Sequence, residues 1–124
     1  MEQVSVRYIV NDVDAAIPFY TQHLGFTVDM HPAPSFAMLS KGALRLLLNA
    51  PGPGGAGQSM PDGTVPIPGG WNRIQVEVPN VDETYATLKA AGAHFRNEVV
   101  TGMGGKQVLL EDPSGNLIEL FQSF

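Results

Sequence analysis

Val4-Ser5-Val6-Arg7-Tyr8-Ile9-Val10 leads through Asn11 into Asp12-Val13-Asp14-Ala15-Ala16-Ile17-Pro18-Phe19-Tyr20, and the segment closes on Leu24-Gly25-Phe26-Thr27-Val28. Residues 72–95 repeat the pattern as Arg73-Ile74-Gln75-Val76-Glu77-Val78, then Pro79-Asn80-Val81-Asp82-Glu83-Thr84-Tyr85, then Gly92-Ala93-His94-Phe95. Asp12-Val13-Asp14 falls on Asn80-Val81-Asp82 at an offset of 68, and Gly25 falls on Gly92 after a one-residue adjustment. An internal repeat of this kind decides the architecture before any single element does.

Local chemistry supports each piece. Val4, Val6, Tyr8 and Val10 alternate with Ser5, Arg7 and Ile9, and Ile74, Val76 and Val78 alternate with Arg73, Gln75 and Glu77. That period of two is a strand signal. Asp12 and Asn80 are N-cap residues, and Asn80 with Glu83 has capping-box spacing. Val13, Ala16, Ile17, Tyr20 and Leu24 then follow helical spacing, as do Val81, Tyr85 and Leu88. Gly25 and Gly92 suit the left-handed residue beyond a helix end. Pro18, six positions past its cap, removes a helix hydrogen bond and should kink or loosen the first helix.

Three strands should follow each helix: 26–31, 35–40 and 43–49, then 93–99, 106–111 and 116–121. The turn signals between them are Lys41-Gly42, Gly102-Met103-Gly104-Gly105 and Asp112-Pro113-Ser114-Gly115. Module 1 is 1–50 and module 2 is 71–124. Between them, 51–70 holds seven glycines and five prolines in twenty residues, which reads as a mobile linker, and as a lid if Trp71 stacks on a flat ligand.

Composition narrows the function. The 124 residues include seven basic and twelve acidic side chains, a net charge of −5, and no cysteine. Disulfides, thiol catalysis and thiolate metal sites are excluded. The acidic balance without a basic run argues against nucleic acid. Apolar runs such as Leu46-Leu47-Leu48 fall far short of the ~20 residues of a membrane span, and the N-terminus lacks a signal-peptide pattern, so a cytoplasmic location is expected. Charged residues make up 15%, against roughly 25% in ordinary domains, which leaves more of the chain for a core or an apolar cleft.

Val10-Asn11-Asp12-Val13-Asp14 with Phe19-Tyr20 and Leu24-Gly25-Phe26, and above all Asp112-Pro113-Ser114-Gly115-Asn116-Leu117-Ile118-Glu119-Leu120, resemble the vicinal oxygen chelate superfamily. That superfamily holds glyoxalase I, bleomycin-resistance proteins and extradiol dioxygenases. The resemblance spans the chain. It implies an α+β fold of two tandem βαβββ modules whose curved mixed sheet surrounds a cleft, commonly in a homodimer. Fold alone does not settle function here.

In metal-dependent members the ion is held by the first and last strands of each module. The resemblance places those positions at Ser5, Leu46, Arg73 and Glu119. Leucine offers no lone pair, serine is a weak ligand, and arginine is a cationic donor, so neither a metal nor another cofactor is expected. His23, His31 and His94 are scattered without ligand spacing.

Strand alternation predicts the cleft lining independently: Arg7, Arg73, Gln75, Glu77 and Glu119 amid Ile9, Leu46, Leu117 and Phe121. Arg73 and Glu119 either form a structural ion pair, or one arginine face stays free for a ligand oxygen while Glu119 or Glu77, its pKa raised by burial, acts as a base. Trp71 either covers the core edge or stacks on a flat ligand. Ser5, Arg7, Leu46, Arg73, Gln75, Trp71 and Phe121 are therefore the candidate ligand-binding residues, and Glu119 and Glu77 the candidate catalytic ones. The expected function is metal-free binding of an aromatic or amphipathic metabolite or antibiotic. The alternative is a lyase, isomerase or dioxygenase-related enzyme that uses a metal or an Arg–Glu pair.

Overall fold

A computed structural model describes residues 3–52 and 55–124, so Pro53 and Gly54 of the predicted linker lie outside the described residues. The chain divides into two compact units, Met1–Gly69 and Gly70–Phe124. The first unit runs β1 (Val4–Ile9), α1 (Val13–Pro18), a π-helical turn (Phe19–His23), β2 (Thr27–Ala33), β3 (Phe36–Lys41) and β4 (Leu44–Asn49). Its sheet has the order β1-β4-β3-β2, with β1 parallel to β4 and the remaining pairs antiparallel.

The second unit runs β5 (Arg73–Glu77), α2 (Val81–Ala90), β6 (His94–Phe95), β7 (Val100–Thr101), β8 (Gly105–Glu111) and β9 (Leu117–Ser123). Its sheet has the order β5-β9-β8-β6, and β7 also pairs with β8. β5 lies parallel to β9, again across a helical crossover. Both units are βαβββ-like modules with mixed sheets, and the fold is α+β.

The caps act as their sequences require. The Asp12 carboxylate accepts the Ala15 N–H at 3.2 Å, and the Asn80 side chain accepts the Glu83 N–H at 3.0 Å. Pro18 has the effect expected of a ring inside a helix. The α-helix ends there, and the chain continues as a π-helical turn in which the Thr21 hydroxyl donates to the Ile17 carbonyl at 3.0 Å.

In each sheet alternate residues form one apolar face. Val6, Tyr8, Leu46 and Leu48 share a face in register with Ala37 and Leu39, and Leu39, Leu46 and Leu48 are fully buried. In the second unit Ile74, Val76, Ile118, Leu120, Val108 and Leu110 do the same, against Val81 and Leu88 of α2. Each buried aliphatic side chain of this kind contributes about 1.5–3 kcal/mol.

Two elements differ from the sequence reading. The strand expected over 93–99 is split, because the Asn97 carboxamide accepts the Leu109 N–H at 2.9 Å and replaces a backbone partner in the ladder. The second difference concerns register. β3 and β4 join through Gly42-Ala43, with Lys41 opposite Leu44, whereas β8 and β9 join through residues 112–116, with Glu111 opposite Leu117. A two-residue and a five-residue connection differ by an odd number, so the one-to-one alignment of Gly42 with Gly115 slips by one position and reverses the face. Leu46 is therefore in the core beside Val6. Leu47, opposite Arg7, stands on the face where Leu46 was expected.

The linker is locally organised. Gly57 packs so closely on the Ala50 carbonyl that a Cβ would lie 2.1 Å from its oxygen. Met60 donates to Thr64, Gly63 donates to Met60, and the Thr64 N–H donated to the Asp62 carboxylate holds that carboxyl below its ordinary range.

Gly105 is closely packed in the second sheet, since a Cβ there would meet the Gln122 carbonyl oxygen. Gly105→Ala should lower stability in urea unfolding by about 1–3 kcal/mol. Gly104→Ala, with open space around it, should cost no more than a few tenths. Equal losses for the two would contradict the close packing of β8 on β9.

Candidate functional site

The sheet face opposite the core carries the polar residues in both units. In the second unit the register sets Arg73 beside Leu117, Gln75 beside Glu119, and Glu77 beside Phe121, with Leu109 opposite Glu119 on the other flank. Glu119 is only 7% exposed and neighbours the fully buried Leu117. A carboxylate in that setting requires charge-assisted donors. It has two. Arg73 approaches Oε1 through Nε at 3.1 Å and Nη2 at 3.0 Å, and the Gln75 amide donates to Oε2 at 2.7 Å. Arg73 itself is partly exposed, so one edge of a charged group faces solvent while its partner is enclosed.

The remaining candidates of this unit are placed differently. Glu77 is exposed at the end of β5, so the burial expected of it is absent. Phe121 is half-buried opposite it. Trp71 is 71% exposed and does not cover the core edge; its ring lies 5.5 Å from the Arg96 guanidinium, which pairs with Glu111. Near it, Tyr85, Lys89, Phe95 and Arg96 line an open hollow of about 240 Å³. The Tyr85 hydroxyl accepts from Lys89 at 3.1 Å and raises the lysine pKa. Sequence reasoning missed this hollow because Arg96 and Asn97 fell within a supposed continuous strand.

In the first unit Ser5, Arg7 and Ile9 share the face with Arg45, Leu47 and Asn49, and with Phe36, Met38 and Ser40 of β3. Ser5 and Arg7 are exposed. Arg45 donates to the Gln3 side chain and rests on the Met38 sulfur at 3.8 Å. Arg45 and Asn49 did not stand out in the sequence; only the register reveals that they share the face of Arg7. His31 reaches Asp14 at 3.3 Å.

A family model described as Glyoxalase/Bleomycin resistance protein/Dioxygenase superfamily matches residues 3–120. The chain belongs to this superfamily. A superfamily member from Sphaerobacter thermophilus has 26% identity and a TM-score of 0.77, over 99% of this chain and 98% of its own. An antibiotic binding protein from a Streptomyces species shares the fold at 23% identity and a TM-score of 0.75, over 100% and 97% of the two chains. A lactoylglutathione lyase from Agrobacterium tumefaciens does so at 20% identity and a TM-score of 0.73, over 96% and 91%. Comparison with curated proteins gives no significant match.

The superfamily includes metal-dependent members, and the fit of a metal here depends on the donor set. The first-strand and last-strand positions are Ser5 and Leu47 in one unit and Arg73 and Glu119 in the other. Glu119 is the sole carboxylate among them, and both its oxygens accept from Arg73 and Gln75. A divalent ion needs several lone-pair donors at ~2.0–2.2 Å, and a guanidinium next to the carboxylate repels it. Among the described residues no group of three or more His, Asp or Glu side chains could hold a metal. The residues do not fit the ion.

Removing one partner of the pair should expose its worth. Arg73→Ala should destabilise by about 1–3 kcal/mol, below the loss for a dry pair because Arg73 reaches solvent and Gln75 still serves Glu119. Glu119→Gln should cost less, since Gln75 can turn its amide to match. The double variant, read by urea unfolding, should lose less than the two single losses together, by roughly 1 kcal/mol. Additive losses would mean that the contact carries no energy.

Proposed function

We infer that this superfamily member is a metal-free small-molecule-binding protein that takes an aromatic or amphipathic compound against its non-core sheet faces. The observation that carries this reading is Glu119, the one acidic group at the family's metal positions, committed to Arg73 and Gln75. A guanidinium there supplies fixed positive charge without a metal, and its solvent-facing edge can fork a ligand oxygen. Phe121 supplies apolar surface on this face, and Ile9, Phe36, Met38 and Leu47 do so on the first unit's own face. Exposed Trp71 is suited to stacking on a flat ligand. The resemblance to an antibiotic binding protein makes antibiotics a natural part of the ligand search.

Binding without conversion is favoured over lyase or isomerase chemistry by the same contacts. A carboxylate whose two oxygens both accept charged or amide donors is stabilised as the anion, which makes it a weaker base. Glu77, the other proposed base, is exposed at the end of its strand and lacks an enclosed setting for a substrate proton. Each sheet also ends in edge strands, β1 and β2 in one and β5 and β6 in the other, which suits a homodimer that covers them.

A thermal-shift screen of aromatic metabolites and antibiotics should give concentration-dependent stabilisation by at least one compound, recovered chemically unchanged after prolonged incubation. Steady conversion of that compound, lost in Glu119→Gln, would establish the enzyme reading and overturn this one. Sedimentation equilibrium at micromolar concentration should give twice the mass of one chain, and a single-chain mass would reject the dimer.

A further inference from the structure

The first unit holds three polar groups whose bonding is incomplete, and all lie on the same sheet face. Asn49 is only 6% exposed, and its side-chain oxygen Oδ1 is buried without a hydrogen-bond donor. In register it stands beside Ile9 and Phe36, on the face that also bears Arg7 and Arg45. Among the described residues neither arginine lies within ion-pair distance of a carboxylate. Among the described residues Arg45 is held by the neutral Gln3 side chain and the Met38 sulfur. The chain has a net charge of −5, yet among the described residues the acid on this face, Asp29, accepts from the Ser40 hydroxyl at 3.0 Å and pairs with neither cation. The second unit does the opposite and pairs its Arg73 with Glu119.

Such an arrangement is costly in an empty protein. A buried carbonyl without a donor forfeits the hydrogen bond it made to water, and two like charges on neighbouring strands repel. Both costs are relieved when the Asn49 side chain, enclosed in this structure, turns outward to meet a ligand's donor and an anionic oxygen meets the guanidinium groups. Arg7 and Asn49 are on adjacent strands two residues out of register, so their Cα atoms are roughly 8 Å apart by ordinary sheet spacing. Between and beside them stand Ile9, Leu47, Phe36 and Met38. We propose that this face is a subsite for a compact aromatic or similarly apolar molecule that carries an anionic oxygen at one end and a hydroxyl or N–H donor at the other. The anion meets Arg7, with Arg45 in support, and the donor meets Asn49. The proposal rests on the small-molecule-binding reading and names the ligand chemistry of one of its faces.

Calorimetric titration with 4-hydroxybenzoate, benzoate and phenol separates the two recognitions. The first probe carries both groups, benzoate lacks the donor, and phenol lacks the charge at neutral pH. The wild-type chain should bind 4-hydroxybenzoate roughly tenfold more tightly than either of the others. Asn49→Leu should erase the margin over benzoate and melt at the same or a higher temperature, since it removes an unmet acceptor. Arg7→Gln should erase the margin over phenol. A lower melting temperature for Asn49→Leu with an unchanged margin would make the amide a structural, water-satisfied group and overturn the subsite. Failure of all three probes to bind at millimolar concentration would overturn it too. If compounds from the wider thermal-shift screen bind but ignore both substitutions, the subsite falls while the binding function stands. If no screened compound binds, both fall.

Discussion

The strands β1, β3, β4, β5, β8 and β9 each turn one face to the core, and a period of two then dictates which residues face the other way. The site follows from that constraint. Leu46 and Leu48 cannot be in the core unless Arg45, Leu47 and Asn49 are on the opposite side. Ile118 and Leu120 likewise force Leu117, Glu119 and Phe121 together. The helices depend on the same rule, because Val81 and Leu88 find an apolar surface only while β8 and β9 keep their register. The five-residue turn at 112–116 helps hold that register, with the Asp112 carboxylate accepting the N–H groups of Ser114 and Asn116.

Given that constraint, the two units have resolved the chemistry of their polar faces in contrasting ways. One encloses a carboxylate and satisfies it with a guanidinium and an amide. Among the described residues, the other leaves two guanidinium groups unpaired with a carboxylate and one amide oxygen without a donor. The first arrangement is complete as it stands and accounts for the poor fit to a metal. The second is incomplete, which is the condition expected of a surface shaped for something else.

The repeat made the fold legible. Caps at Asp12 and Asn80, glycines at 25 and 92, and period-two strands were enough to give the module order, because each signal is local. Arg73, Gln75, Glu77 and Glu119 were readable as one face for the same reason. Leu46 was misplaced because its side depends on the number of turn residues between β3 and β4, a count that strand patterning does not contain. The split of the strand around 93–99 was hidden since Asn97 replaces a backbone partner from a distant strand. Asn49 was missed for a different reason. A lone asparagine at a strand end reads as a turn residue, and only burial shows that its oxygen lacks a donor.

The central claim is that a guanidinium takes the place of a metal ion beside Glu119. Equilibrium dialysis of the purified protein against Zn²⁺ and Ni²⁺ at neutral pH tests it directly. The account predicts no saturable binding of either ion, because Arg73 and Gln75 occupy both carboxylate oxygens and repulsion from the arginine opposes entry. One ion bound per chain, with binding abolished by Glu119→Gln, would contradict it.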